Sequence, residues 1–476
     1  VVRVSALLGA LFSALLVVVT TQTSGATAAE RTVENSTAAP NATTAVVMPT
    51  IQITANSHPD PGLLFANPVP AFGTSPPWTG GPMIYDNAGH IVWYKPLANV
   101  HVMEPVTYKG QTALAYHLAD HGFGGWTTGS WIILNQSYQQ IGQIGQGVDH
   151  HELLMAKGGM AYVDTYHTMN MDLSKYGGQS NATVAEAVIQ EIDLNTNKVV
   201  WEWHSFPHVP VTETYASLKD SVVDYFHINS IAVDTDGNLI VSGRHISAVL
   251  KINRTTGAVM WKLGGKNSTF HFTNDGGPSY QHDARVVGRN TYSIFDNGVT
   301  RSPNYSRGVT YKLDLTKHTA TAMGILRHKP DLYSNIEGSS RSLPNGHRLI
   351  GWATTGVATE YSGKTVVFES KILSASSYRT FRSAWHGTPQ SPPSLGVRRN
   401  GTAVTASASW NGATDVVGWQ VLAGPDAQHL KVVRTVPYTG FQMTQTVAAA
   451  TSDHVFAVRA VRSGAPVAQS GVASLP

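Results

Sequence analysis

Short apolar runs separated by turn residues, rather than long amphipathic stretches, run through most of this chain. Trp131-Ile132-Ile133-Leu134, Leu239-Ile240-Val241 and Arg348-Leu349-Ile350 are bounded by Gly, Asn and Asp, the pattern of strands joined by tight turns. One motif recurs: an Asp or Asn, a few turn residues, then a β-branched strand ending in an aromatic. It runs from Asp86 to Trp93, Asp193 to Trp201, Asn253 to Trp261 and Tyr361 to Phe368, with weaker copies from Asn135 to Ile141 and Asp314 to Thr321. The positions Trp93, Ile141, Trp201, Trp261, Thr321 and Phe368 are separated by 48, 60, 60, 60 and 47 residues. A repeat of about 40–60 residues built of short strands predicts an all-β fold, a six-bladed β-propeller over residues 51–388. Two unrelated β-sandwiches with similar hairpins are the alternative, and the regular spacing favours the propeller.

The flanks read differently. Pro389, Pro392 and Pro393 mark a linker at 389–394. The alternating runs Val404 to Trp410, Val417 to Ala423, Leu430 to Val436, Phe441 to Val447 and His454 to Val461 then predict a small immunoglobulin or fibronectin type III-like β-sandwich over 395–476. Trp410 and Trp419 are its expected core anchors, and its expected role is surface attachment or stability. At the other end, Arg3 precedes an apolar run from Val4 to Val19, and Ala26-Thr27-Ala28 offers a small-residue cleavage site. Residues 1–28 therefore read as a secretory signal peptide, whose apolar run of 16 residues is short for a membrane span of about 20. The expected product is secreted or extracellular, with no membrane span after cleavage. Residues 29–50, rich in Thr, Ala and Asn without periodicity, read as a flexible leader.

Composition narrows the chemistry. There is no cysteine, so disulfides, thiolate zinc sites, iron–sulfur clusters and a cysteine nucleophile are excluded. Charged residues are only 13% of the chain, and 33 basic against 30 acidic residues carry no Lys/Arg block, which does not indicate nucleic-acid binding. Gly264-Gly265-Lys266-Asn267-Ser268 lacks the first Gly and the Ser/Thr after Lys of a phosphate loop, His151-Glu152 lacks the second His of a zincin helix, and no G-x-S-x-G elbow occurs. What remains among the 20 histidines is a set of polar clusters in the middle repeats, each beside a predicted strand: Asp149-His150-His151-Glu152, Asp224 to Ser230, Ser242-Gly243-Arg244-His245 and Gln281-His282-Asp283-Ala284-Arg285. The innermost strands of a propeller line one channel, where such clusters converge. Imidazoles that donate, accept or attack, together with a guanidinium fork, make an anion site.

These residues closely resemble the arylsulfotransferase family. The resemblance rests on His227 to Ser230, Gly243-Arg244-His245, Trp261 to Lys266, Gln281 to Arg285 and Phe295-Asp296-Asn297-Gly298. Gly81 to Asp86, Leu343 to Gly346 and Thr359-Glu360-Tyr361 extend it over roughly residues 60–388. It implies a six-bladed propeller that moves a sulfuryl group from an aryl sulfate to a phenol without a nucleotide donor, a cofactor or a metal. By resemblance His282 is the nucleophile, forming a sulfohistidine, and Arg244 holds the sulfuryl oxygens. His227 and His151 contact the phenolic oxygen as acid and base, with Asn229 and His245 in support; His150 can exchange roles with His151. Gly243 stands where many relatives have Ser, and the disulfide of proteobacterial members cannot form in this chain. The implied partners are small aryl sulfates and phenols, with cell-surface or polysaccharide contact through the C-terminal sandwich. The competing readings are a non-catalytic propeller binding sulfated or aromatic ligands and, more distantly, a quinoprotein-like dehydrogenase, for which no calcium-ligand carboxylate cluster stands out.

Overall fold

The structure, a computed structural model, describes residues 45–462 and 465–475. The expected signal peptide and most of the expected leader lie outside them. Residues 51–383 form six sheets, each built around four antiparallel strands. The first comprises Ala375–Ser383, Leu63–Pro70, Met83–Tyr85 and Ile91–Tyr94, in that spatial order. The second runs from Val100–Tyr108 to Gln140–Val148, the third from Leu153–Ala156 to Lys198–His204, and the fourth from Ile228–Val233 to Val259–Gly264. The fifth runs from His282–Gly288 to Thr319–Leu326 and the sixth from Ser339–Ser342 to Thr365–Ile372. Helical structure among the described residues is limited to 3-10 turns, and none of it is long and apolar enough to cross a membrane.

The first strands touch in a cycle. Val100–Tyr108 meets Leu153–Ala156, and contacts continue through Ile228–Val233, His282–Gly288, Ser339–Ser342 and Ala375–Ser383 back to Val100–Tyr108. The chain ends interlock: Ile51–Asn56 pairs with Thr365–Ile372 to extend the last sheet, and Ala375–Ser383 pairs with Leu63–Pro70 to complete the first. Inner strands such as Leu239–Gly243 and Ala248–Ile252 are buried at every position, whereas Lys198–His204 fully buries only Trp203. A sheet covered on both faces needs apolar residues at successive positions, and alternation returns only toward its outer edge.

All six spaced positions of the recurring motif, Trp93, Ile141, Trp201, Trp261, Thr321 and Phe368, lie on the fourth strand of their sheets. The Asp or Asn that opens the motif has a physical role. In five sheets its Oδ1 accepts the backbone N–H two residues on: Asp86 from Ala88, Asn135 from Ser137, Asp193 from Asn195, Asn253 from Thr255 and Asp314 from Thr316. This turn mimic sets the hairpin before the outer strand. The sixth sheet uses Gly363 at φ +59° instead.

After residue 383 the chain forms a three-stranded sheet, Ser394–Asn400, Ala403–Ser409 and Gln442–Ala448, and a five-stranded one that includes Gly418–Gly424 and Val455–Arg462. Val404, Ala406, Trp419, Val421, Phe456 and Val458 share one buried cluster. Trp419 is central, but Trp410 is only half-buried at the cluster's edge, its indole N–H donating to Ser391 O at 2.8 Å. Phe441 N–H and Gly412 N–H reach Ile91 O and Val92 O at 3.0 and 2.9 Å, which covers the outer edge of the first sheet.

Where the first strands meet, charge fills the centre. Glu152 Oε2 accepts from Arg285 Nη2 at 2.5 Å and from Ile231 N–H at 3.2 Å, with Arg379 Nη2 at 3.4 Å. Asp283 accepts from Arg285 Nε at 2.8 Å, Arg341 Nε at 3.0 Å and Ser340 N–H at 2.9 Å. Arg379 also donates to Asn229 O at 2.7 Å. Glu152, Asp283 and Arg379 are almost wholly buried. Removing one partner leaves an uncompensated charge in a low-dielectric interior, which costs about 3–5 kcal/mol. Glu152→Gln is expected to lower unfolding stability by about that amount, measured by denaturant titration.

Candidate functional site

A cavity of about 430 Å³ opens at the starts of these first strands. His101, His150, His151, His227, Arg244, His245, His282 and Glu337 supply its polar lining, and Gly122–Thr127 supplies one wall. Each key side chain sits where regular pairing breaks or begins. His227, at φ +53°, precedes Ile228–Val233; its N–H and Nδ1 are both held by Asp224, at 3.0 and 2.5 Å. That double grip offsets a left-handed conformation unfavourable for most side chains. His282 opens its strand just before Asp283, itself at φ +52°, so the two neighbours point to different surroundings: His282 to the cavity, Asp283 to the charge network.

The hydrogen bonds define which nitrogen of His282 is free. Asn297 Nδ2 donates to Ser334 O and Glu337 O at 2.8 and 2.9 Å, which fixes its amide orientation. Asn297 Oδ1, 2.7 Å from His282 Nδ1, must then accept the Nδ1–H. The Nε2 lone pair remains, and it accepts the backbone N–H of Glu337 at 3.1 Å. His151 Nδ1 is held by Asp149, so the same logic leaves Nε2 free in His151 and in His227. The His151 and His227 rings lie 4.9 Å apart, edge to face. Tyr378 packs edge-on beneath His150, His151 and His282 at 5.6, 5.6 and 6.2 Å.

Arg244 lies over the Tyr280 ring at 5.0 Å. Its Nη1 meets His245 Nε2 at 2.7 Å and its Nη2 donates to Asn335 O at 3.0 Å, while Nε is buried without a partner. The Asn335–Glu337 segment thus caps both the guanidinium and the His282 lone pair. In the wall formed by Gly122–Thr127, Phe123 stacks on Trp126 at 4.5 Å, and Trp126 is backed by the buried Tyr166 at 4.9 Å; Phe123 is about half exposed at 49%. Gly125, at φ +137°, lets this wall approach: a Cβ there would stand 3.2 Å from His227 Cε1.

Burial decides the protonation states. It holds the His282 imidazole well below its ordinary range, and the Arg244 cation adds to the effect. His151 falls to about 3, mainly by burial, as does His245 with His227 nearby. These rings are neutral at physiological pH, while Arg244, lowered by burial, stays cationic. Burial pushes the Glu337 carboxyl up to about 6. The result is a cavity that presents the Arg244 guanidinium, neutral imidazole nitrogens and an aromatic wall, able to receive an anion bearing an aryl ring.

Of the residues expected from sequence, His151, His227, Arg244, His245 and His282 line this cavity together, and so does His150. His150 is bound to Thr127 Oγ1 at 3.0 Å, and its ring lies tilted against that of His101 at 4.6 Å. Asn229 does not line it; its Nδ2 donates to Gln281 O at 2.8 Å, bracing the residue before His282. At Gly243 an added Cβ would meet Ile246 at 2.7 Å and Phe226 at 3.0 Å, so a larger residue here requires those side chains to shift. His101, Asn297, Glu337, Tyr378 and the aromatic wall were not singled out as site residues. Only Asn297 carried a signal, inside the Phe295–Gly298 box. Two trios, Asp149-His150-His151 and Asp224-His227-His245, have donor atoms close enough to hold a metal ion. In both, the carboxylate already anchors imidazole nitrogens.

Residues 104–371, more than half of the chain, match the family model described as Arylsulfotransferase (ASST). No curated protein matches the sequence. Among solved structures, a protein of unknown function from Bacteroides caccae is similar at 13% identity and TM-score 0.40, over 67% of this chain and 98% of its own. A protein from Lactobacillus plantarum is similar at 12% identity and TM-score 0.35, over 84% and 100%. The hydrazine synthase of Kuenenia stuttgartiensis is similar at 14% identity and TM-score 0.32, over 59% and 73%.

Glu337 is expected to make anion binding in this cavity pH-dependent. With its pKa raised to about 6 it is neutral below that pH and negative above it, beside His150 and in the cavity shared with Arg244 and His282. Affinity for inorganic sulfate is expected to fall as pH rises through about 6, and Glu337→Gln should flatten that step in calorimetric titrations.

Proposed function

Because the chain belongs to the arylsulfotransferase family, we propose that it moves a sulfuryl group from an aryl sulfate to a phenolic acceptor through a sulfohistidine on His282. The observation that supports this most is the pairing, in one cavity, of a neutral imidazole whose Nδ1–H is fixed on Asn297 with the Arg244 guanidinium. In this reading the six sheets are the blades of a propeller over 51–388 and the two C-terminal sheets a fibronectin type III-like sandwich over 395–476. Export through residues 1–28 belongs to the same proposal and rests on the apolar run of the sequence.

The donor's sulfate oxygens replace Asn335 O on Arg244, and its sulfur meets His282 Nε2 once the Glu337 N–H is displaced. His282 Nε2 attacks, the N–S bond forms and the S–O(aryl) bond breaks. His227 enters this step as the imidazolium, its Nδ1–H held by Asp224, and gives its Nε2 proton to the departing oxygen as the S–O bond breaks. The released phenol leaves. The acceptor phenol then places its oxygen between His151 and His227; His227 takes its proton as the oxygen attacks sulfur, the N–S bond breaks, and both histidines return to their starting states. Arg244 stabilises the equatorial oxygens in both halves. Its Nη1 contact with His245, itself tied to Asp224 O at 2.6 Å, keeps the fork oriented. The stack of Phe123 and Trp126 offers the aryl ring an offset-stacking face.

The test uses purified protein, 4-nitrophenyl sulfate and a phenol. Nitrophenol release should require the acceptor, and His282→Ala should reduce it by at least about 10³-fold. Arg244→Lys is expected to lose about 10²-fold in kcat/KM by breaking planar recognition of the oxygens. Trp126→Ala should raise KM about fivefold with a smaller change in kcat. Without acceptor, the sulfonate adduct should appear by mass spectrometry on the peptide containing His282. An adduct on His227 or His151 overturns the role assignment, and binding of aryl sulfates without any turnover converts the reading to a non-catalytic binding protein.

A further inference from the structure

Away from the cavity, the third sheet carries a second cluster of imidazole and carboxylate. His167 on Met160–Met171 stands directly opposite Glu186 on Ala182–Asp193. His204 on Lys198–His204 stands opposite Val188, diagonal to Glu186. Because side chains alternate along a strand, residues 186 and 188 share a face, and the three side chains project from the same side of the sheet. One donor atom from each of His167, Glu186 and His204 lies within 4.8 Å of the other two. His204 Nδ1 and Glu186 Oε2 are 3.0 Å apart, and the His167 and His204 rings are 5.5 Å apart.

Three features separate this cluster from a chance surface contact. The Glu186 side chain is only 5% exposed, yet among the described residues it has no Lys or Arg partner; its ion-pair contact is His204 alone. An ionised carboxylate taken out of water calls for a compensating charge. Its other oxygen, Oε1, accepts Phe206 N–H at 3.1 Å, the kind of outer bond that orients a ligating carboxylate. The two imidazoles, in contrast, remain reachable from solvent: His167 is exposed and the His204 side chain is 37% exposed. Two ligands at about 2.0–2.1 Å from a tetrahedral ion lie about 3.3 Å apart, close to the existing His204–Glu186 separation.

We propose that His167, Glu186 and His204 form a divalent-metal site of the His₂Glu type, taking Zn²⁺ with water in the fourth position, separate from the catalytic cavity. On binding, the ion replaces the His204–Glu186 hydrogen bond, and the small rotation needed falls on the exposed His167. Two imidazoles and one carboxylate suit zinc better than calcium or magnesium, which favour all-oxygen shells. The site ties three neighbouring strands of one sheet at their outer part.

The test uses the full chain, stripped with a chelator and dialysed, titrated with Zn²⁺ by calorimetry and with Co²⁺ as a visible-absorption probe. About one equivalent should bind in the His151→Asn/His227→Asn double variant, whose cavity trios are disabled. His167→Asn and Glu186→Gln should each weaken that equivalent by more than about tenfold, and Co²⁺ should lose its tetrahedral absorption with them. His167→Asn alters an exposed side chain, so it keeps the test decisive if Glu186→Gln fails to fold. Sulfuryl transfer by His167→Asn should equal that of the parent, whether or not the parent proves active. Absence of Zn²⁺ binding, or binding unaffected by His167→Asn but lost with the cavity double variant, overturns the proposal.

Discussion

The buried ion network around Glu152 and Asp283 is the constraint from which the rest of the site follows. Arg285, Arg341 and Arg379 come from three different sheets, and the carboxylates they share lie on or beside the first strands of two. Such a network contributes little stability compared with apolar packing, but it punishes any register in which a charge lacks its partner. It therefore fixes how the first strands stand to one another. His151 immediately precedes Glu152, and His282 immediately precedes Asp283. Holding the carboxylates toward the network sends the imidazoles the other way, into the cavity.

Polarity within the cavity is graded rather than uniform. Carboxylates sit behind the rings, on Nδ1 of His151 and His227, and an amide oxygen sits behind His282. A carboxylate makes its imidazole more willing to hold a proton, whereas a neutral amide orients the ring without adding charge. His227, proposed to move the proton, and its neighbour His151 thus differ from the proposed nucleophile in the atom that supports them. Burial and the neighbouring Arg244 keep His282 unprotonated, so that its lone pair stays available.

Much of this was legible in the chain because it repeats. The aspartates and asparagines that open five of the six outer hairpins recur because the same turn must be made in successive sheets, and the six spaced positions mark one structural slot. The histidine clusters are legible because each interrupts an apolar run at one end of a strand, three at the head and Ser242 to His245 at the tail. What sequence could not convey has no local pattern. Glu337 and the Asn335 carbonyl reach His282 and Arg244 from a connection 55 and 91 residues away, and nothing in that loop resembles a strand signal. Trp410 looked like a core residue because it is large and apolar, yet its indole N–H is drawn to the chain just outside the cluster. The adjacency of His282 and Asp283 likewise concealed that one serves the cavity and the other the fold.

The interlocked ends of the chain carry a further consequence. The first sheet receives its innermost strand from Ala375–Ser383, and the last receives its outermost from Ile51–Asn56. The order in which a ribosome delivers the residues is therefore not the order in which the sheets can be finished. Every histidine of the cavity is synthesised before Tyr378 and Arg379, the residues beneath and behind them, can be supplied. The centre therefore cannot be complete until that late segment docks, nearly at the end of the six-sheet body.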